Sequence, residues 1–348
     1  MVSTDEMSLR QKVGQLFVVR PESLEPAIRY ASDAELPPYR LQAVSDGMRA
    51  RAERYPAGGV LLYGHNIADP AQLERFGAEL RALPGAPRLC IDEEGGRVSR
   101  IAANPAFDVP RYESAAAIAA GGDPQAAYDA ARAIGTYLKR YGLDINFAPV
   151  ADVNTNPENI IIGARAFSDD PAAAAAMVAA YVRGLADAGI VGCLKHFPGH
   201  GDTLADTHLG YAFTDKSWEQ MRDCEMVSFR AGIAAGAPLV RAAHIAAPAV
   251  TGCDEPATLC PAILTEKLRG ELGFEGVVIT DALEMGAITR RYGSGEAAVR
   301  ALEAGADWLL CPLDYCAAFD AVADAVATGR IPEARIDQSL RRIRRVCR

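Results

Sequence analysis

The stretch "VGCLKHFPGHGDTLADTH", residues 191–208, decides how this chain is read. It opens as an apolar run, reaches Lys195 and His196, and passes at once into a loop carrying His200, Asp202, Asp206 and His208. An apolar run of this length without polar alternation suits a strand covered on both faces, as in a parallel sheet. The titratable residues then fall at its C-terminal end, where parallel α/β folds place their chemistry. Pro198 and Gly199 exclude a helix here, because an internal proline removes a donor and clashes with the preceding turn.

The same design recurs on both sides of this stretch. With "VGCLKHF", eight short runs read as strands: 14–19, 58–64, 88–92, 144–150, 191–197, 238–245, 276–282 and 306–312. Between them lie amphipathic segments such as "PAQLERFGAELRAL", "DPQAAYDAARAIGTYLKRYG" and "DPAAAAAMVAAYVRGLADAG", which open at proline, the last two closing at glycine. Eight strands alternating with helices predict an α/β fold, a single (β/α)8 TIM-like barrel forming one domain over residues 1–348. A doubly wound open sheet is the competing architecture, but it usually has fewer strands, and no GxGxxG follows the first strand here. The segment 21–57 is long for one connection, and it is read as a decorated first crossover with an extra helix from about Tyr39 to Arg54.

Composition narrows the function classes. Half of the 348 residues are hydrophobic, and the formal net charge is −9. A nucleic-acid backbone binder would carry more positive charge. The basic "RRIRRVCR" at the C-terminus has apolar residues at helical spacing and reads as a last helix with a charged face. The opening residues show no secretory pattern, and no later stretch is long and uncharged enough to span a membrane, so the expectation is a cytoplasmic protein with no membrane partner. The eight cysteines are scattered without a CxxC pair, as expected of reduced thiols.

The strand ends hold the chemistry. Asp92, Glu93 and Glu94 close the third run, Asp152 follows the fourth, Lys195 and His196 end the fifth, His244 ends the sixth, and Asp281 ends the seventh. The turns "EEGG" and "PGHGD" would let backbone approach a ligand closely. Metal binding by His196, His200, Asp202, Asp206 and His208 has no standard ligand spacing to support it, and no metal or other cofactor is expected. Acid–base chemistry fits better. Asp206 lies two residues from His208, and a carboxylate beside an imidazole orients the ring and favours its protonated form. Asp281 on a rigid strand end could attack while a separate group protonates a leaving oxygen, which is the equipment of retaining glycoside cleavage. Residue types alone leave open whether the chain is a glycosidase or another hydrolase or lyase.

"KHFPGHGDTLADTH", "IDEEGGRVSR", "GGVLLYGHNI", "NFAPVADVNTNPENIIIGARAF" and "GVVITDALEMGAI" together resemble the bacterial β-N-acetylglucosaminidases of glycoside hydrolase family 3, and the resemblance runs from about residue 8 to 346. It implies a TIM-like barrel and a retaining mechanism, with Asp281 as nucleophile, His208 as acid/base and Asp206 as its partner. It further implies that Asp92, Arg100, Arg165, Lys195 and His196 bind a terminal N-acetylglucosamine. The implied substrate is a small carbohydrate, a muropeptide met during peptidoglycan recycling. The chain itself is expected to be a monomer. The chain departs from the family pattern at Arg241, where methionine is usual, at Ala282, where a second aspartate is common, and at His65, where arginine is common. An arginine inside a barrel strand must be paired or reach solvent. The alternatives are an N-acetylglucosaminide phosphorylase, a broader β-glucosidase, and a sugar-binding protein without catalysis.

Overall fold

The computed structural model describes residues 6–28, 40–205 and 212–347. The strands in chain order are β1 (Phe17–Val19), β2 (Gly59–Leu62), β3 (Arg88–Ile91), β4 (Ile145–Asn146), β5 (Val191–Phe197), β6 (Leu204–Ala205), β7 (Ala212–Phe213), β8 (Leu239–Ala242), β9 (Ile245–Ala246), β10 (Val277–Thr280) and β11 (Leu309–Leu310). Eight of them make one sheet in the order β10-β8-β5-β4-β3-β2-β1-β11, every neighbouring pair parallel. A parallel bridge between Ile279 and Trp308 joins β10 to the approach of β11, so the sheet rolls into a nearly closed barrel. All eight expected runs contribute one strand each.

The helices form where the sequence supplies start signals. Asp69, Asp123 and Asp170 each accept a first-turn backbone N–H and are followed by proline, starting the helices Pro70–Arg81, Pro124–Arg140 and Pro171–Asp187. Such a cap contributes about 1 kcal/mol. Gly142 and Gly189, at φ of 78° and 72°, turn the chain after the last two. In Pro124–Arg140 the buried Ala127, Ala131, Ile134 and Leu138 recur at helical spacing and form the face turned to the core.

Two expectations change in detail. The first strand begins at Phe17 rather than Gly14, because a capping box of Ser8 and Gln11 starts the helix Leu9–Gly14 just ahead of it. The extra helix of the first crossover spans Asp46–Arg54, started by Ser45, whose hydroxyl accepts the N–H of Met48; its expected beginning at Tyr39 falls on residues 29–39, outside those described. The structure adds a small sheet that the sequence did not announce: β6 pairs antiparallel with β7, and β7 pairs parallel with β9. Because β6 follows β5 and β9 follows β8, this sheet stands at the C-terminal rim of the barrel.

Candidate active site

The mouth of the barrel is built on buried charges. Lys195, on β5 and 1% exposed, sits 2.8 Å from Asp92 and 2.5 Å from Glu94. Arg165, on a turn at Gly163–Arg165, forks onto both oxygens of Glu94 at 2.8 Å and donates to the carbonyl of Ile161. Its Nη2 also lies 3.3 Å from His196 Nε2. His196 Nδ1 is 2.7 Å from Asp152, which accepts the backbone N–H of His196 and, at 2.7 Å, that of His200. On the other flank Arg241, on β8, reaches Asp92 at 3.3 Å and Asp281 at 3.8 Å. One chain of contacts therefore runs from Asp152 through His196, Arg165, Glu94, Lys195, Asp92 and Arg241 to Asp281.

These contacts set the protonation states. Burial pushes the Asp92 carboxyl up, but Arg241 and Lys195 outweigh it and hold the group well below the carboxylate range. Glu94 is likewise penalised by burial and brought down to about 2 by Lys195 and Arg165. Asp281 is lowered from its ordinary value because Arg241, His244 and His196 outweigh its burial. All three are carboxylates at neutral pH. Burial lowers the pKa of His196 despite the pull of Asp152, so the ring is neutral, with Nδ1 donating to Asp152 and Nε2 accepting from Arg165.

The structure thus brings Asp92, Arg165, Lys195, His196 and Asp281 into one network. Arg100 adjoins it: its guanidinium stands 5.8 Å from the Tyr63 ring, and its charge helps to lower Asp92. Asp206 and His208 lie outside the described residues, in the segment that joins β6 to β7. Among the strand-end residues to which the sequence gave no role, Glu94 ties Lys195 to Arg165. Its neighbour Glu93 faces the other way. Fully buried, it accepts the backbone N–H groups of Arg100, Ile101 and Ala102 and the hydroxyl of Tyr137, and so shapes the loop that carries Arg100. His244 bonds Thr258 and the carbonyl of Ala282, bracing the turn beside Asp281.

The two glycine turns serve the fold rather than an open approach to ligand. A Cβ on Gly96 would lie 2.5 Å from the carbonyl oxygen of Glu113, and one on Gly201 would lie 1.9 Å from that of Val153. Both glycines are wedged against the chain's own backbone, and Gly201 holds the loop after β5 against the loop after β4.

The chain is similar to known proteins over most of its length. The model of the glycosyl hydrolase family 3 N-terminal domain matches residues 8–346. A β-hexosaminidase of Stenotrophomonas maltophilia is 42% identical over 258 residues, covering 72% of this chain and 75% of that protein. A solved family 3 β-N-acetylglucosaminidase from Paenibacillus superposes with a TM-score of 0.86 at 38% identity, covering 98% of this chain but 62% of that one, so this chain spans less than two thirds of it. A family 3 glycosyl hydrolase from Mycobacterium smegmatis has a TM-score of 0.81 and 30% identity, with 100% and 99% of the two chains covered.

Proposed function

The chain belongs to glycoside hydrolase family 3, and from that premise we propose that it is a retaining exo-β-N-acetylglucosaminidase that removes terminal N-acetylglucosamine from a small carbohydrate, a cell-wall muropeptide handled in the cytoplasm. The names of its relatives support the sugar. The observation that carries the reading is Asp281: a carboxylate held ionised at the end of β10, beside the cationic and hydrogen-bonding groups of one polar mouth.

In the proposed reaction an Asp281 oxygen attacks the anomeric carbon as the bond from that carbon to the leaving oxygen breaks. The leaving oxygen takes a proton from His208, which Asp206 orients. The now neutral His208 takes a proton from water, whose oxygen displaces Asp281 and frees the sugar. Asp92, Lys195, Arg165, His196 and Arg100 would hold the sugar. Lys195 and Arg165 donate, while the Asp92 carboxylate accepts from hydroxyl groups.

The test is turnover of an aryl N-acetyl-β-glucosaminide, run with and without phosphate and chelator. Free N-acetylglucosamine as the product supports the reading. The 1-phosphate would make the chain a phosphorylase, and sugar binding without turnover would make it a binding protein. An activated fluoro-sugar should label Asp281, and labelling at Asp92 would overturn the assignment. Asp281→Ala should abolish turnover with the thermal melt preserved, since the lost group forms a covalent bond rather than a packing contact.

A further inference from the structure

Arg241 has donors that the proposed chemistry does not use. The residue is 5% exposed, and its guanidinium lies 4.1 Å over the ring of Phe147. Nη1 faces Asp92 and Asp281 at 3.3 and 3.8 Å, but Nε and Nη2 are buried with no hydrogen-bond partner among the described residues. Buried donors are rarely left idle in a folded protein, because each unmade bond carries its full desolvation cost. The Phe147 ring on one side and Asp92 at one nitrogen hold the fork at the mouth. With no acceptor among the described residues, these donors can serve a group that enters the mouth.

We propose that Arg241 is a specificity residue whose idle N–H groups donate to one ring hydroxyl of the bound sugar, while Asp92 accepts the proton of that same hydroxyl. The inference rests on the proposed sugar site. The chemistry of the acceptor follows from its neighbours. Nη1 of the same guanidinium stands beside two carboxylates, Asp92 and Asp281, so an anion brought to this fork meets two negative charges, and a neutral acceptor suits it better. A neutral hydroxyl can accept from the guanidinium and donate to a carboxylate at once. Both cation contacts of Asp92 fall on Oδ1, which leaves Oδ2 to take that proton.

The experiment compares the wild type with Arg241→Met and Arg241→Lys on an aryl N-acetyl-β-glucosaminide and its 3-, 4- and 6-deoxy analogues, with thermal melts as the folding control. Arg241→Met should lower kcat/KM on the parent sugar by about 10- to 100-fold. On the one analogue that lacks the gripped hydroxyl, the same substitution should cost less than about 3-fold, since the bond is already missing there. Arg241→Lys keeps the charge but not the fork, and should show the same selective pattern even if the methionine variant folds poorly. Equal losses on all four sugars would overturn the proposal. So would a phosphate-stimulated rate in the wild type that Arg241→Met abolishes. Calorimetric binding of N-acetylglucosamine and its deoxy forms to the same proteins separates the two readings. The selective pattern in binding without turnover would sink the glycosidase reading and keep Arg241's role, whereas turnover with uniform losses would do the reverse. Absence of sugar binding would sink both.

Discussion

Lys195 is the residue on which the mouth turns. Its ammonium is buried between Asp92 and Glu94, and it shares the work of keeping them ionised with Arg241 on Asp92 and Arg165 on Glu94. Lys195→Met should therefore raise both carboxyl groups from their depressed values, against the remaining pull of Arg241 and Arg165, and cost about 3–5 kcal/mol of stability, the usual price of breaking a buried pair from one side. A urea titration at neutral pH reads the loss, and an unchanged midpoint would show that the two carboxylates find other partners. At this scale the sequence told the kinds of residue better than their aim. Asp92, Lys195, His196 and Asp281 were legible because each ends an apolar run. Glu93 and Glu94 could not be told apart, since one residue's step along a loop decides which carboxylate meets Lys195 and which caps the backbone at Arg100. Arg241 stood out as a misfit, but only the closing of the sheet puts it between Asp92 and Asp281.

Among the elements, the C-terminal helix Glu333–Val346 shows how the far end of the barrel is secured. Asp307, fully buried just ahead of β11, is paired with Arg269 at 2.5 Å, with Arg342 at 3.0 Å and with Arg335 at 3.5 Å, and accepts the hydroxyl of Ser339 at 2.7 Å. Arg335, Ser339 and Arg342 recur at helical spacing on one face of that helix. The sequence read this tail as a helix with a charged face, and part of that face turns inward to a counter-ion about 30 residues away along the chain. Asp307→Asn should cost about 3–5 kcal/mol, because three guanidinium groups are left crowded without their anion. Activity per folded molecule should hold, as the mouth lies at the opposite ends of the strands; a fall in kcat without a fall in stability would contradict this separation. The eight barrel strands were legible from their uninterrupted apolar runs. β6 and β7 were not, and β9 was not separated from the run 238–245, because these short pairings lie in no apolar run of their own and exist only where the barrel brings their partners together.

For the whole molecule, acid should be the chief stress. His196 and His244 are both held below their ordinary pKa by burial, so each favours the folded state above about pH 6.5 and loses that advantage as the unfolded chain takes up protons below it. The depressed carboxylates add a second term of the same sign. Glu94, ordinarily at 4.5 and here at about 2, contributes on the order of 3 kcal/mol above pH 4.5, and this is lost as pH falls toward 2. Thermal melts should hold steady at neutral pH, decline gently below about 6.5 and steeply below about 4.5. Glu94→Gln should flatten the lower limb, and an unchanged steep limb would move the acid sensitivity elsewhere.

The small sheet at the rim has an engineering consequence. β7 is hydrogen-bonded to β9, β9 follows directly on the strand that carries Arg241, and His244 ties that corner to the turn beside Asp281. The chain is thus anchored through Ala205 on one side of residues 206–211 and Ala212 on the other. Doubling the length of such a connection costs only about 0.6 kcal/mol of closure entropy. Glycine–serine insertions between Ala205 and Ala212 should accordingly leave the melting temperature within a few degrees of the parent while changing the rate, so the tempo of the reaction can be retuned, or another family member's segment grafted in, on an unaltered chassis.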